Sequence, residues 1–287
     1  MMRIAIALLS LCLSASAFAQ RTYLTEATKN FYVSTVGSDA NDCRQATPCL
    51  TIQRAVDNLK QNYDTNCIRP YIHIADGSYA GWSDYAPQVG CQPSADGGGP
   101  MAIVGNCANP AAVVINAVSP TKPTSISYDG GAVATVICLT ASSPGAPGIY
   151  ATNGAILEVG LINFPGGIYG IMADAGGTII ATSTLNFTGN YVYGIMGNLG
   201  GYAGVVPGVT VSFASGVNFS GSFLFAANSG KVVFQPSGLN IVGNPTGSKC
   251  YASLHGLINT AGNPSAVPGN AGTCLQTDPG PGSANYG

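Results

Sequence analysis

The sequence predicts an all-β fold, a β-solenoid with a short capping α-helix near the N-terminus. A turn pattern recurs along the body of the chain about every 22 to 30 residues. The repeats contain short β-branched runs and Gly turns, and none is long enough for a helical crossover. Charged residues are only 8% of the 287 residues, against about 25% in an average soluble domain. Stacked coils explain this scarcity, because like charges one strand spacing apart repel.

The turn pattern, called the turn template below, is an apolar residue, two residues, a small polar residue, one residue, then Gly. Its copies begin at Ile126, Ile149, Ile171, Ile195, Phe225 and Tyr251. A second marker, which pairs Asn with an apolar residue and ends in Gly, begins at Asn163, Asn186, Asn218 and Asn240. We expect each set to stack in a column at about 4.8 Å per coil. The four Asn should form one amide ladder, beside an internal stack of Phe164, Phe187, Phe219 and Ile241.

The residue composition divides the chain into four segments. Residues 1–19 have the basic start, apolar stretch and small-residue cleavage site of a secretory signal peptide. Residues 20–100 form the N-terminal lead-in and cap of the solenoid, with a helix at 50–60 whose apolar residues repeat at helical spacing. Residues 101–262 form the coils, and 263–287 a Gly/Pro-rich C-terminal tail. The sequence therefore predicts an exported protein, periplasmic or extracellular, with no membrane span in the mature chain.

Cleavage of the signal would remove Cys12 and leave an even number of cysteines, which in an exported chain predicts up to four disulfides. The sequence leaves the pairing open, although Cys43 with Cys49 and Cys250 with Cys274 are the local expectations. No C-x-x-C pair indicates a metal site. The candidate disulfide residues are Cys43, Cys49, Cys67, Cys91, Cys107, Cys138, Cys250 and Cys274.

Two stretches carry a family resemblance. The segment 31–42, followed by 51–56, resembles the beginning of pectin-lyase-like right-handed parallel β-helix repeat proteins. The repeats and the ending at 257–260 and 268–272 resemble an uncharacterised exported branch from bacteria and prophages. The resemblance implies a right-handed parallel β-helix over nearly all of the mature chain. It implies little about activity, because the matching residues are structural.

The residue types present limit the chemistry. A net charge of −2 and no Arg after Arg69 exclude a nucleic-acid binder and argue against an acidic polysaccharide substrate. The enzyme signatures of the fold are missing; for example, 77–81 lacks the Glu of the methylesterases. Asp129 and Asp174 are the catalytic candidates, since they share a template position two coils, or about 10 Å, apart. The alternative is that both are turn residues.

Tyr79, Trp82 and Tyr85 are the candidates for stacking on a sugar ring, with packing at the N-terminal cap as the alternative. The stretch 39–42 resembles half a calcium loop but lacks its Gly and distal Glu. We therefore expect no cofactor, with calcium as the alternative.

The function predicted from these observations is an exported, non-catalytic module that binds a glycan or another surface. The alternative is a polysaccharide-degrading hydrolase or lyase that acts on a neutral or weakly charged glycan. The expected partner is a polysaccharide or cell-surface glycan, and the chain is also compatible with a homo-oligomer. The sequence leaves the ligand and the oligomeric state open.

Overall fold

A computed structural model describes residues 21–90, 100–117, 124–261, 263–272 and 274–276. The structure is 49% strand and 8% helix, with parallel coils stacked into a β-solenoid, which confirms the predicted fold class. The predicted signal peptide, Cys91 and the end of the predicted tail lie outside the described residues.

The strands that lead into the solenoid are β1 (Thr22–Tyr23), β2 (Asn30–Val33), β3 (Tyr63–Asp64), β4 (Tyr71–Ile74), β5 (Gly77–Ala80), β6 (Trp82–Asp84), β7 (Met101–Val104), β8 (Val113–Asn116) and β9 (Ile126–Tyr128). The later strands are β10 (Val133–Ala151), β11 (Ile156–Phe164), β12 (Gly167–Ala173), β13 (Thr178–Ala181), β14 (Leu185–Phe187), β15 (Tyr191–Gly197), β16 (Tyr202–Val205), β17 (Thr210–Phe213), β18 (Asn218–Ala226), β19 (Lys231–Phe234), β20 (Asn240–Val242), β21 (Thr246–Gly247), β22 (Cys250–Ala252), β23 (Leu257–Asn259) and β24 (Leu275–Gln276). Short 3₁₀ turns lie at Pro110–Ala112, Pro236–Gly238 and Pro264–Ala266.

Parallel pairing between coils arranges these strands in three columns around one core. The first column stacks β2, β4, β7, the start of β10, the start of β11, β13, β16, β19 and β23. The second stacks β5, β8, the middle of β10, the end of β11, β14, β17 and β20. The third stacks β6, β9, the end of β10, β12, β15, β18, β22 and β24.

One α-helix, α1 (Ile52–Asn62), follows β2, close to the predicted range of 50–60. Thr51 is its N-cap, and the Thr51 side chain accepts a hydrogen bond of 3.2 Å from the Arg54 amide. The buried face of α1 includes Val56 and Leu59 and packs against β2, β4 and β6. Because β2 and β6 begin the first and third columns, the helix covers the start of the core.

The turn template marks the corner between the third and first columns. Gly154, Gly176 and Gly200 have φ of 77° or 78°, a left-handed conformation that Gly adopts without a steric penalty. In the fifth and sixth copies Ser229 and His255 hold this conformation instead, with φ of 63° and 65°. The strand register shows the same shift of one residue, since Ile195 pairs with Leu224 and not with Phe225, where the template copy begins. The last two copies therefore lie one residue out of step with the first four.

The second marker stacks through two coils and then loses register. Asn163 pairs with Asn186 as predicted, but Asn186 pairs with Ser212. Asn218 begins β18 in the third column and pairs with Thr246. The prediction of one ladder of four Asn is therefore wrong beyond Asn186, because the long coil places its extra residues before the marker.

The internal aromatic stack follows the same register. Phe164, Phe187 and Phe213 lie in successive coils, with ring centroids 5.0 and 5.5 Å apart. Phe219, predicted as the third member, meets Phe187 edge-on at 5.9 Å from the third column. Ile241, predicted as the fourth member, pairs with Val211 and so continues the Leu185 row instead. The rings of Phe164, Phe187, Phe213 and Phe219 are all buried, so the core keeps its aromatic content although two of the four positions differ from the prediction.

Disulfides close three loops among the described residues. Both local expectations, Cys43–Cys49 and Cys250–Cys274, are confirmed, and Cys107 pairs with Cys138. Cys67 is disulfide-bonded as well. This usage fits a chain that folds in an oxidising compartment. Within the described ranges, no helix is both long enough and apolar enough to cross a membrane.

Candidate functional site

A shallow groove of about 490 Å³ runs along the second column. Its floor is formed by outward-facing side chains of successive coils, and its sides by small or apolar residues. None of these lining residues carries a charge. They are Ala111, Val114, Thr140, Asn163, Pro165, Asn186, Thr188, Ser212, Phe213 and Ala214.

The floor of the groove is a hydrogen-bonded ladder. Asn163 Nδ2 donates to Thr140 Oγ1 at 3.3 Å, and Asn186 Nδ2 donates to Asn163 Oδ1 at 2.9 Å. The Ser212 hydroxyl then donates to Asn186 Oδ1 at 2.5 Å. An amide carries two N–H groups and two acceptor lone pairs. Each Asn therefore keeps one N–H and one lone pair beyond those that the ladder uses.

A second, separate concavity lies toward the C-terminal end of the solenoid. A Cβ built on Gly243 would lie 2.4 Å from the Phe213 carbonyl oxygen, so these two backbones are in close contact. Gly243 lines a second pocket of about 440 Å³, to which Lys249 and Asn270 also contribute. The Lys249 ammonium donates to the Ser265 carbonyl at 2.5 Å. The two concavities share no lining residue.

The predicted catalytic candidates lie at a different corner. Asp129, Thr152, Asp174 and Asn198 occupy one position of four successive coils, since each amide donates to the previous coil at 2.8 or 2.9 Å. Tyr85 occupies the equivalent position one coil before Asp129, because the Asp129 amide donates a hydrogen bond to the carbonyl of Asp84, the residue before Tyr85. The structure therefore brings Tyr85, Asp129 and Asp174 to one edge, called the polar edge below.

Both carboxylates of the polar edge are engaged by their neighbours. Asp174 Oδ2 accepts from the Tyr150 hydroxyl at 2.8 Å, and Asp174 Oδ1 accepts from Asn198 Nδ2 at 2.9 Å. Asp129 Oδ1 accepts from the Gly130 amide at 2.6 Å and from Asn153 Nδ2 at 2.8 Å. The bonds from Tyr150, Asn198 and Asn153 tie adjacent coils together, and the bond from Gly130 lies within one turn. This is the behaviour expected of turn residues.

Two of the three predicted sugar-stacking residues belong to the core. Trp82 is 2% exposed and its indole N–H donates to the Tyr128 hydroxyl at 3.3 Å. Tyr79 is 5% exposed and its hydroxyl donates to the Ala75 carbonyl at 2.8 Å. Neither ring can present a face to a ligand, because both are buried. Tyr85 is 54% exposed and remains accessible on the polar edge.

A row of aromatic side chains on the outer side of the third column escaped the sequence analysis. Tyr169, Tyr193, Phe225 and Tyr251 stack along the coils with centroids 5.5, 4.5 and 5.5 Å apart. Because the rings cover one another, the row presents edges rather than faces. The equal spacing of Tyr169 and Tyr193 from Ile171 and Ile195 could have indicated the first pair. The row stabilises the coils and offers little to a sugar ring.

The carboxylates of the predicted half calcium loop have protein partners. Asp39 accepts hydrogen bonds from the Leu50 and Thr51 amides and from the Thr51 hydroxyl. The Thr47 hydroxyl donates to Asp42 at 2.6 Å and lowers the pKa of that carboxyl. Across the described part of the chain, no three His, Cys, Asp or Glu side chains are grouped to hold a metal ion.

These observations define the class of protein: a disulfide-bonded β-solenoid with an uncharged groove across its coils. Comparisons with protein-family models, curated proteins and solved structures gave no match.

Proposed function

We propose that the chain is an exported, non-catalytic module that binds a neutral linear glycan along the groove of the second column. The observation that carries this proposal is the ladder of Thr140, Asn163, Asn186 and Ser212 on the floor of that groove. Its amides and hydroxyls can both donate to and accept from sugar hydroxyls. A pectin-lyase-like relationship, carried by the stretches 31–42 and 51–56, belongs to the same proposal.

The absence of charge along this groove favours a neutral ligand. A carboxylate laid on the ladder would lose water without meeting a cation, which is unfavourable. Sugar hydroxyls instead exchange water for the spare N–H groups and lone pairs of Asn163 and Asn186. Each such bond contributes about 0.5–1.5 kcal/mol net, so affinity should build up with the number of coils covered.

Binding is tested with neutral oligosaccharides of increasing length, followed by NMR shift changes in the mature chain. We expect affinity to rise until the ligand spans the four coils of the ladder, about 14 Å. Ala214→Trp should block the groove, since Ala214 is exposed and lines it. Ser215→Trp is the matched control, because Ser215 is exposed and adjacent but does not line the groove.

Equal binding by the two variants, or no binding by the wild type across the panel, would overturn the groove assignment. The same samples are assayed for reducing ends. Release of reducing ends that Ala214→Trp abolishes would instead support the enzymatic alternative, a hydrolase or lyase on a neutral or weakly charged glycan.

A further inference from the structure

The outer side of the first column, from β11 to β23, is a sheet surface on which apolar side chains alternate with a few polar ones, called the outer face below. Burial alternates along β13 and β19, so that every second side chain points outward and is partly exposed. Ile156 in β11 is 44% exposed. The outward apolar side chains are Ile156, Ile180, Tyr202, Val233 and Leu257.

Tyr202 and Gly204 make the middle of the outer face flat. A Cβ on Gly204 would lie 2.8 Å from a ring carbon of Tyr202, so the ring lies across the glycine. Five strands at about 4.8 Å and four residues at about 3.3 Å give a patch on the order of 300 Å². Five of the ten outward positions in this area are apolar, and Gly204, Thr178, Glu158, Lys231 and Asn259 fill the others. Exposed apolar side chains clustered on one surface often mark interaction sites, and sheets pack face to face about 10 Å apart.

Glu158 and Lys231 are the charged side chains of the outer face between β11 and β23. Glu158 lies in β11 and Lys231 in β19, three strand spacings or about 14 Å apart. Neither has an ion-pair partner among the described residues. The Thr135 hydroxyl donates to Glu158 at 3.3 Å and accepts from Arg69 at 2.6 Å, so Arg69 borders the face at its N-terminal end.

This charge arrangement is self-complementary. A two-fold axis along the strands, between β13 and β16, places β11 of one copy over β19 of a second copy. Glu158 of each copy then faces Lys231 of the other, because a two-fold axis produces every contact twice. The two residues are offset by two positions along the strand, about 7 Å, which their long side chains can span. A second copy is thus matched by both the shape and the charge of the surface.

We propose that the chain self-associates through the outer face as a two-fold dimer with its coils antiparallel. The patch is smaller than the roughly 800 Å² that each partner contributes to a standard interface. The dimer should therefore be weak and concentration-dependent. It leaves the groove of the second column open, so this proposal does not depend on the proposed glycan binding.

Sedimentation equilibrium of the mature chain over a wide concentration range tests the proposal. We expect a monomer–dimer equilibrium. Glu158→Lys and Lys231→Glu should each weaken the dimer at least tenfold, since each puts like charges opposite one another. The double variant should restore it. Ile156→Lys should abolish association, whereas Val242→Lys, at a residue 47% exposed in the second column, should leave it unchanged.

Melting temperatures of all variants are measured alongside, so that loss of association is compared only between folded chains. A wild type that stays monomeric throughout the range overturns the proposal. A double variant no better than the two single variants also overturns it, because the charge pairing would then be absent.

Discussion

The Asn186 side chain links two coils at once: it donates to Asn163 Oδ1 at 2.9 Å and accepts from the Ser212 hydroxyl at 2.5 Å. Asn186 and Asn163 also line the groove of the second column. The same bonds that hold the coils in register therefore shape the floor of the candidate site. Coil stacking and ligand recognition depend on one set of side chains.

Asn186→Leu should lower the free energy of unfolding by about 1–3 kcal/mol, because it removes two ladder bonds and leaves partly buried partners unpaired. Urea unfolding followed by circular dichroism measures the change. Asn218→Leu is the control, since Asn218 lies outside the ladder and its Oδ1 is buried without a partner. Similar losses in both variants would contradict a special role for the ladder.

Lys60→Met should lower the free energy of unfolding by about 3–5 kcal/mol at pH 7, because it leaves the Asp84 carboxylate buried and unpaired. Lys60 on α1 and Asp84 in β6 form the ion pair that ties the capping helix to the third column. Guanidinium unfolding at several pH values measures the loss. The double variant with Asp84→Asn should recover part of it.

The loss of unfolding free energy caused by Lys60→Met should become smaller as pH falls toward 4. Burial raises the pKa of Asp84, while Lys60 acts to lower it. Without Lys60 the folded protein holds a proton on Asp84 up to a higher pH than the unfolded chain does. Stability of the variant therefore rises as pH falls through the folded pKa of Asp84 and is lost as pH rises through it. If the stability loss in Lys60→Met does not change with pH, the unpaired Asp84 carboxylate is not its cause.

Asp174→Asn should change stability by less than about 1 kcal/mol and leave any glycan-directed activity intact. An amide oxygen can still accept from Asn198, and the Tyr150 hydroxyl can turn to accept from the new amide N–H. Asn198 already serves the same position one coil later. A loss of about 10²–10⁴-fold in glycan cleavage at unchanged melting temperature would instead assign Asp174 to acid–base catalysis.

Loss of the Cys107–Cys138 disulfide should cost about 3–4 kcal/mol, and loss of Cys43–Cys49 about 2 kcal/mol. The two disulfides differ in sequence separation, 31 against 6 residues, and a longer loop gains more from closure. Paired Cys→Ser variants are compared by thermal unfolding. Alkylation of the unreduced wild type should label fewer than four thiols by mass spectrometry.

Local sequence was sufficient wherever one residue dictates one conformation. Gly154 and Gly176 predicted turns at the corners, and the helical spacing of apolar residues over 50–60 predicted the helix. The close pairing of Cys43 with Cys49 followed from their short separation. In each case the physical cause lies within a few residues, so no knowledge of the neighbouring coil was needed.

Register between coils was beyond the sequence. The marker at Asn218 has the same local pattern as that at Asn186, but the long coil between them can place its extra residues at any corner. Packing of Phe213 against Phe187 in the core put Ser212, not Asn218, in the ladder. The burial of Trp82 and Tyr79, two of the three sugar-stacking candidates, was beyond the sequence for a similar reason, because exposure depends on the packing around each ring.

The sequence by itself determined the solenoid, its first four corners and its capping helix, and it favoured two of the disulfides, because these follow from local periodicity and short-range covalent geometry. Only the tertiary structure decided which side chains share a column, and hence where the uncharged groove and the outer face lie. Such surfaces are built from residues more than 20 positions apart. Their alignment is set by the packing of whole coils on the common core.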